Sequence, residues 1–476
     1  MRSAWLSVMA LALAGCSLAP KFETPALSVP AAYKEQAGGA PPRDDAEWKP
    51  AEPQDGAARG EWWKRFGDAV LDDYEGRAAQ ANQDLAAALA RLDASRALVR
   101  LARAAQMPRL DAGASAARTR PSANQPGNPL AGSDSYNRFE IGITAQYELD
   151  LFGRVRDSLR AARADAQADA ALFQSLLLAV ETEVAQSYFL LRAADAELAV
   201  LADTVASRDS ELKIFEQRFA AGDTSAFDVE RARTELATAR GEVQALSRQR
   251  AQYEHALALL LGQAPADLNV APATLATRVP QIPSGLPSAL LERRPDIAAA
   301  ELRMQAANAR IGVARAAFYP ILNLTADAGF TADTAGSLFK WASRSWALGP
   351  LAGSLLATPL FDGGRNKANL AHAEAELDAE IASYRQTVLG AFREVEDQLV
   401  ARRTLDEQSA TAAAAEQAAT HALEIATTRF QAGASGYLDV LDARRAVISV
   451  RRQQQQLDGA RAVSAVALIK ALGGGW

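Results

Sequence analysis

Residues 139–150 read Phe-Glu-Ile-Gly-Ile-Thr-Ala-Gln-Tyr-Glu-Leu-Asp. Phe139, Ile141, Ile143, Ala145, Tyr147 and Leu149 alternate with Glu140, Gly142, Thr144, Gln146, Glu148 and Asp150. A period of two, apolar on one face and polar or acidic on the other, predicts a strand. The pattern returns downstream, where Leu322, Leu324, Ala326, Ala328 and Phe330 alternate with Asn323, Thr325, Asp327, Gly329 and Thr331. A shorter stretch, Leu110 to Thr119, precedes the first strand across a Pro/Gly/Asn-rich loop at 120–135. The second strand finds its partner around Trp346 to Leu360, a segment interrupted by Pro350 and Pro359, which cannot donate to a ladder.

Around these strands the chain is helical. Residues 80–106 are rich in Ala, Leu and Arg and lack Gly and Pro, and Pro108 ends the run. From Arg154 to Phe219 there is again no Gly or Pro, and Arg365 to Phe430 has only Gly390. A helix of that length runs about 98 Å, which argues for coiled-coil assembly. Leu177, Val180, Val184, Tyr188 and Leu191 recur at helical spacing, and many seam positions are Ala. Further helices, 225–261 and 436–472, follow Gly-containing turns and run back antiparallel.

The order helix, strand, strand, very long helix, helix occurs twice. Arg218-Phe219-Ala220-Ala221-Gly222 recurs 211 residues later as Arg429-Phe430-Gln431-Ala432-Gly433. The same offset pairs Arg154 with Arg365 and Asp228-Val229 with Asp439-Val440. An offset of 212 pairs Asp84-Leu85 with Asp296-Ile297 and Met107-Pro108 with Tyr319-Pro320. The expected organisation is a signal peptide (1–15), an N-terminal extended segment (16–67), repeat one (68–262), a linker (263–284) and repeat two (285–473). This period is far longer than that of a solenoid.

Composition narrows the function. The chain has 476 residues, with 51 Lys+Arg against 57 Asp+Glu, so no basic face for nucleic acid is expected. Its single cysteine excludes an internal disulfide, and its three histidines (His255, His372 and His421) share no ligand spacing. They are read as surface or seam residues, and no metal or other cofactor is expected. No catalytic constellation is evident, so no enzyme is expected. Arg2 and the short apolar run Ala4 to Ala14 read as a secretory signal ending Leu13-Ala14-Gly15-Cys16. Trp62, Trp63 and Phe66 read as packing anchors, and residues 17–60, rich in Pro and Ala, as an extended strap.

Four strands per chain cannot close a barrel, and open edges are not tolerated in lipid. Three chains give 12 strands, a size that does close. The polar strand face then lines a wet lumen and the apolar face meets lipid. The long helices form a tube sized to cross a periplasm.

Together, these residues resemble the TolC-like outer membrane factors, specifically the lipoprotein, OprM-like (NodT-type) branch of tripartite efflux systems. The resemblance spans Cys16 to Gly473. It is carried by Cys16, Trp62-Trp63-Lys64-Arg65-Phe66-Gly67-Asp68, the two Arg-Phe-x-Ala-Gly turns, Arg294-Pro295-Asp296-Ile297, Tyr319-Pro320 and Pro359-Leu360-Phe361-Asp362-Gly363-Gly364. It implies a homotrimer with a 12-stranded β-barrel in the outer membrane, continued by a periplasmic α-helical barrel. It implies acylation of Cys16. Ser17 in place of Asp implies outer-membrane sorting. Passive conduction of small molecules such as drugs is the implied activity, with a periplasmic adaptor and an inner-membrane RND pump as partners. A type I protein-secretion channel is the nearest alternative. A metal-exporting channel and a coiled-coil lipoprotein without a pore are the others.

The resemblance places the closed periplasmic end at the Arg-Phe-x-Ala-Gly turns. Asp439 and Asp442, three residues apart on one helix face, then form a ring of carboxylates at the aperture. Acidic residues near a helix N-terminus also suit its dipole. Copy one carries Asp228 but Arg231 at the matching positions, and Arg445 lies one turn from Asp442. Arg218, Gly222 and Thr224, with Arg429, Gly433 and Ser435, are the expected adaptor contacts. The glycines suit the left-handed conformation that ends a helix. The arginines either hold the tip by salt bridges or stand solvated.

Overall fold

The computed structural model describes residues 17–27, 29–30, 32–35, 60–124, 134–275, 279–280, 282, 293–349 and 356–474. The signal segment and Cys16 lie outside the described residues, as does Pro350. The elements are α1 (Ala69–Ala81), α2 (Gln83–Ala104), β1 (Arg109–Thr119), β2 (Tyr136–Leu149), α3 (Arg154–Ala220) and α4 (Ala226–Leu260). They are followed by α5 (Pro295–Ala316), β3 (Ile321–Ala332), β4 (Arg344–Leu348), β5 (Leu356–Ala357), α6 (Arg365–Gln431) and α7 (Tyr437–Ala471). Three pairs of repeat-related helices match in length. α2 and α5 each have 22 residues, α3 and α6 each 67, and α4 and α7 each 35. Gly390 leaves α6 unbroken.

Two expectations need correction. The helix read as 80–106 is two helices parted at Asn82, whose backbone is extended (ψ 126°). Asn82 Oδ1 accepts the backbone N–H groups of Asp84 and Leu85 (3.0 and 3.1 Å), starting α2 afresh. The strand read as Trp346 to Leu360 is two short ones, β4 and β5, both paired to β3. Their register slips by four residues between them.

Two compact units divide the chain, each drawing on both repeats. One gathers residues 1–26, 91–169 and 299–384, and the other 27–90, 170–298 and 385–476. The first holds an antiparallel sheet in the order β1-β2-β3-β4, with β5 also on β3. Its central seam joins the two repeats in a register that keeps like with like. Ile141 faces Phe330, Ile143 Ala328, Ala145 Ala326 and Tyr147 Leu324, while Glu140 faces Thr331 and Thr144 Asp327. Such pairing is what a sheet wet on one face and greasy on the other requires. At the crossing of Gly142 and Gly329 the strands lie so close that a Cβ on Gly329 would strike the Ile141 carbonyl. The apolar face is open in the single chain: Ile143, Trp346 and Leu348 are 56, 73 and 77% exposed. In the same unit Ser17 Oγ donates to Asp157 (2.8 Å), and Asn308 donates to the Pro20 carbonyl (2.8 Å), so the first described residues lie along α3 and α5 as a strap.

The second unit has an apolar core built on Trp62, Trp63 and Phe66 against Leu71, Tyr74, Tyr188 and Phe189. Phe66 and Phe189 rings lie 4.9 Å apart. Asp68 caps α1 and accepts the Tyr188 hydroxyl (2.6 Å). Repeat-equivalent residues close two helix ends. Asn82 Nδ2 donates to the Leu260 carbonyl (3.0 Å), and Arg294, 212 residues later, donates to the Ala471 carbonyl (2.9 Å) while pairing with Glu394 (2.7 Å). Either way the C-terminal carbonyl of the returning helix is satisfied.

Glu75 sits in this core, fully buried, with neither carboxyl oxygen hydrogen-bonded to a described residue. Burial, aided by the charges of Glu181 and Asp72, pushes its pKa up to about 10 from an ordinary 4.5. The folded chain therefore keeps a proton here that the unfolded chain releases, and stability falls as pH rises from about 4.5 to about 10. Glu75→Gln keeps the shape and removes the titration. Its gain in thermal stability over the parent should be larger at pH 8 than at pH 5, measured by melting the detergent-solubilised protein at both.

Candidate site at the helix-reversal turns

The two turns lie in the second unit and share a backbone design. After α3, Gly222 takes φ +77°, and the Asp223 N–H reaches back to the Arg218 carbonyl (2.8 Å). After α6, Gly433 takes φ +71°, and the Ala434 N–H reaches the Arg429 carbonyl (2.8 Å). This double closure satisfies the last carbonyls of a helix and needs a left-handed residue, which glycine supplies without a Cβ penalty. Gly222 and Gly433 are exposed, with open space where a Cβ would sit.

The restarts differ. Ser225 caps α4 in a reciprocal box. Its Oγ accepts the Asp228 N–H (3.3 Å), and Asp228 Oδ2 accepts the Ser225 N–H (3.2 Å). Thr224 Oγ1 also donates to Asp228 (2.9 Å). The Ser225 hydroxyl also donates to this carboxylate (2.7 Å), and that bond, with those from Thr224 and the Ser225 N–H, holds the Asp228 carboxyl below its usual range. In copy two Ser225 is replaced by Gly436, which offers no side-chain cap. Asp439 is therefore left exposed, without an ion pair or side-chain bond to any described residue. Asp442 is exposed too, but bonds Arg445 (3.2 Å). Arg445 in turn bonds Glu235 of α4, and its guanidinium holds the Glu235 carboxyl below the usual range. Asp439 is thus the freer of the two acidic charges.

Arg218 and Arg429 are exposed and make no ion pair with described residues, so within one chain they stand solvated. Ser435 is half-buried and its hydroxyl finds no described partner. Ala434 beside it is exposed.

Sequence reasoning passed over the groups that bind the two turns together. Tyr437 lies 4.8 Å from the Phe215 ring and 5.4 Å from Phe430, edge to face. Burial raises the Tyr437 phenol above its ordinary pKa. Buried Arg208 bonds Glu211 (3.1 Å), which also bonds Arg444 of α7. A cleft of about 250 Å³ remains between Phe215, Arg231, Glu235, Tyr437 and Leu441. The repeat could have flagged these positions, since Tyr437 and Arg445 stand where copy one has Ala226 and Thr234.

Comparison with known proteins identifies this architecture. The outer membrane efflux protein family matches residues 76–263 and 286–474. The chain belongs to that family. It is 37% identical to the outer membrane protein OprJ of Pseudomonas aeruginosa over 477 residues, covering 98% of this chain and 95% of that protein. It is 36% identical to the toluene efflux pump outer membrane protein TtgC of Pseudomonas putida, covering 99% and 95%. The open-state structure of the Neisseria gonorrhoeae MtrE outer membrane channel superposes with a TM-score of 0.82 at 30% identity, covering 97% of this chain and 98% of that one. The chain is therefore a mixed α and β outer membrane protein of an efflux system, and its sheet is the membrane-spanning part.

The two restarts should respond differently to the loss of a carboxylate. Asp228→Ala removes half of a capping box and should cost about 0.5–2 kcal/mol. Asp439→Ala removes no cap and should stay within about 0.5 kcal/mol of the parent. Denaturation of the two variants side by side would show the difference, and equal losses would contradict this account of Asp439.

Proposed function

We propose that three copies of this chain form a 12-stranded barrel and a continuous tunnel. Small molecules such as drugs would be conducted passively through it, handed over by a periplasmic adaptor and an inner-membrane RND pump. The observation that carries this reading is the sheet, with one apolar face exposed in the single chain, one polar face, and outer strands β1 and β4 whose far edges have no described partner. Neighbouring chains complete those edges. Acylation at Cys16 adds a lipid anchor. Relatives named for toluene and antibiotic efflux support small molecules as cargo.

The free Asp439 carboxylates, three per trimer, narrow the periplasmic end for anions and favour cations, with Asp442 contributing less because Arg445 shares its charge. In planar bilayers Asp439→Ala should lower cation selectivity more than Asp442→Ala does, and the double variant should lower it most. Unchanged selectivity in all three would remove Asp439 and Asp442 from the aperture.

The exposed turn residues Arg218, Gly222, Arg429 and Gly433 are the adaptor's contact, with Thr224 and Ser435 shaping the turns beneath. Ala434→Cys, cross-linked in living cells, should capture a periplasmic adaptor identifiable by mass spectrometry. An adaptor of a proton-driven pump supports the reading, and one belonging to an ABC exporter would move it to protein secretion.

A further inference from the structure

Strand register assigns every residue of the apolar sheet face. It gathers the even-numbered residues 110–118 of β1, the odd-numbered residues 137–149 of β2, the even-numbered residues 322–332 of β3, and Arg344, Trp346 and Leu348 of β4. Among these only Arg118 and Arg344 are charged, and both are cations. They share one end of the sheet, Arg118 opposite Asn137 and Arg344 opposite Phe330. That end carries the β1–β2 and β3–β4 connections, whereas α2, α3, α5 and α6 all join the sheet at the other. In an outer membrane protein whose helices extend into the periplasm, the connection end faces outward.

Depth decides what these cations meet. From Phe139 to Leu149 is about 34 Å along the strand, or about 26 Å of membrane depth at a tilt of about 40°, close to the height of a barrel's apolar band. Aromatic rings mark both margins. Tyr147 and the stacked pair Phe152 and Tyr319 (4.7 Å) lie at the inner one. Phe330 and Phe339, edge to face at 5.8 Å, lie at the outer one with Trp341. Such girdles sit at headgroup level. An arginine on the lipid face is costly at the midplane and nearly free at this height.

Arg344 is fixed without an acid. Its Nε donates to the Trp341 carbonyl (2.9 Å), and its guanidinium lies over the Trp341 ring. Its terminal amino groups have no acceptor among the described residues. On the polar face, by contrast, Arg138 pairs with Glu140 (2.5 Å) and Arg109 with Asp111 (2.8 Å). Phe339, Trp341 and Trp346 around Arg344 are largely exposed in the single chain.

We propose that Arg344, seated on Trp341, binds the phosphate of a glycolipid in the outer leaflet. The guanidinium fork presents parallel N–H groups to two phosphate oxygens. Phe339 and Trp346 flank it with apolar surface for the sugar and the upper acyl segments. Arg118 supplies a second cation at the same margin on β1. The phosphate belongs to a lipid because the cation stands on the lipid-facing side among aromatic rings.

The test uses the full chain in mild detergent, with bound lipid counted by native mass spectrometry. The probes are lipid A with its phosphates, the same lipid without them, and phosphatidylglycerol. Phosphorylated lipid A should bind best. Arg344→Gln should weaken it about tenfold, as loss of a bond to a charged group does. Arg344→Lys should lose less, and Trp341→Ala should weaken binding with the arginine still present. Variants are compared with the parent at the same oligomeric state. Equal binding of lipid A with and without phosphate, or binding unmoved by both Arg344→Gln and Trp341→Ala, would overturn the site. Phosphatidylglycerol bound as tightly, or displacement of lipid A by excess inorganic phosphate, would overturn the glycolipid as occupant. The site rests on the β3–β4 connection facing outward, which Ala335→Cys tests separately. A membrane-impermeant maleimide should label it in intact cells. Labelling only after lysis would overturn the orientation and the site with it, and labelling without any lipid effect would overturn the site alone.

Discussion

A backbone N–H or C=O group inside hydrocarbon has no water to turn to. That constraint rules out an open sheet edge in a membrane, and the rest of this chain is arranged around it. The sheet has a polar face, an apolar face and two edge strands, and one chain supplies too few strands to curl back on itself. Closure must come from other copies, which asks that the sheet be repeatable. Internal duplication helps by making the seam between β2 and β3 a join of two similar units. Its register matches apolar to apolar and polar to polar without a special residue at the crossing beyond Gly142 and Gly329.

Duplication also means that the two copies can be compared position by position, and at the turns they have parted. Ser225 and Asp228 form a capping box, whereas Gly436 leaves Asp439 free. One serine-to-glycine difference turns a carboxylate that stabilises a helix start into one available for other work. Asn82 and Arg294 show the opposite behaviour, since different side chains perform the same task of holding the last carbonyl of a returning helix. Backbone satisfaction was kept across the repeats while the free charges were redistributed.

Much of the fold was legible because periodicity survives in a single sequence. The alternation at 139–149, the Gly- and Pro-free runs and the paired Arg-Phe-x-Ala-Gly turns located β2, both long helices and their reversals. What was missed turned on side chains acting over long sequence distance. Asn82 looks like an ordinary residue within a helix until its amide is seen bonded to Leu260, 178 residues away. The β4–β5 break depends on how β3 pairs, which local propensity does not report. At the turns, the acidic pair was readable from its spacing, but the loan of Arg445 to Glu235, 210 residues earlier, was not.

The ion pairs that cross between the copies in the second unit follow one direction. Arg444 and Arg445 of α7 reach Glu211 and Glu235, and farther along Arg452 reaches Glu197 and Glu242. Exchanging the roles of the copies gives Thr234 opposite Ala446, Arg233 opposite Ala422, and Gly241 opposite Gln408 and Gln453. None of these can form an ion pair. The ladder therefore belongs to the contact within a chain and has no repeat-related twin. Partly buried pairs such as Arg452 with Glu197 also depend on both partners being present, since a lone buried charge is costly. The duplication thus kept the geometry of the helices, and substitution placed the charges of this ladder on one side of the repeat relation only.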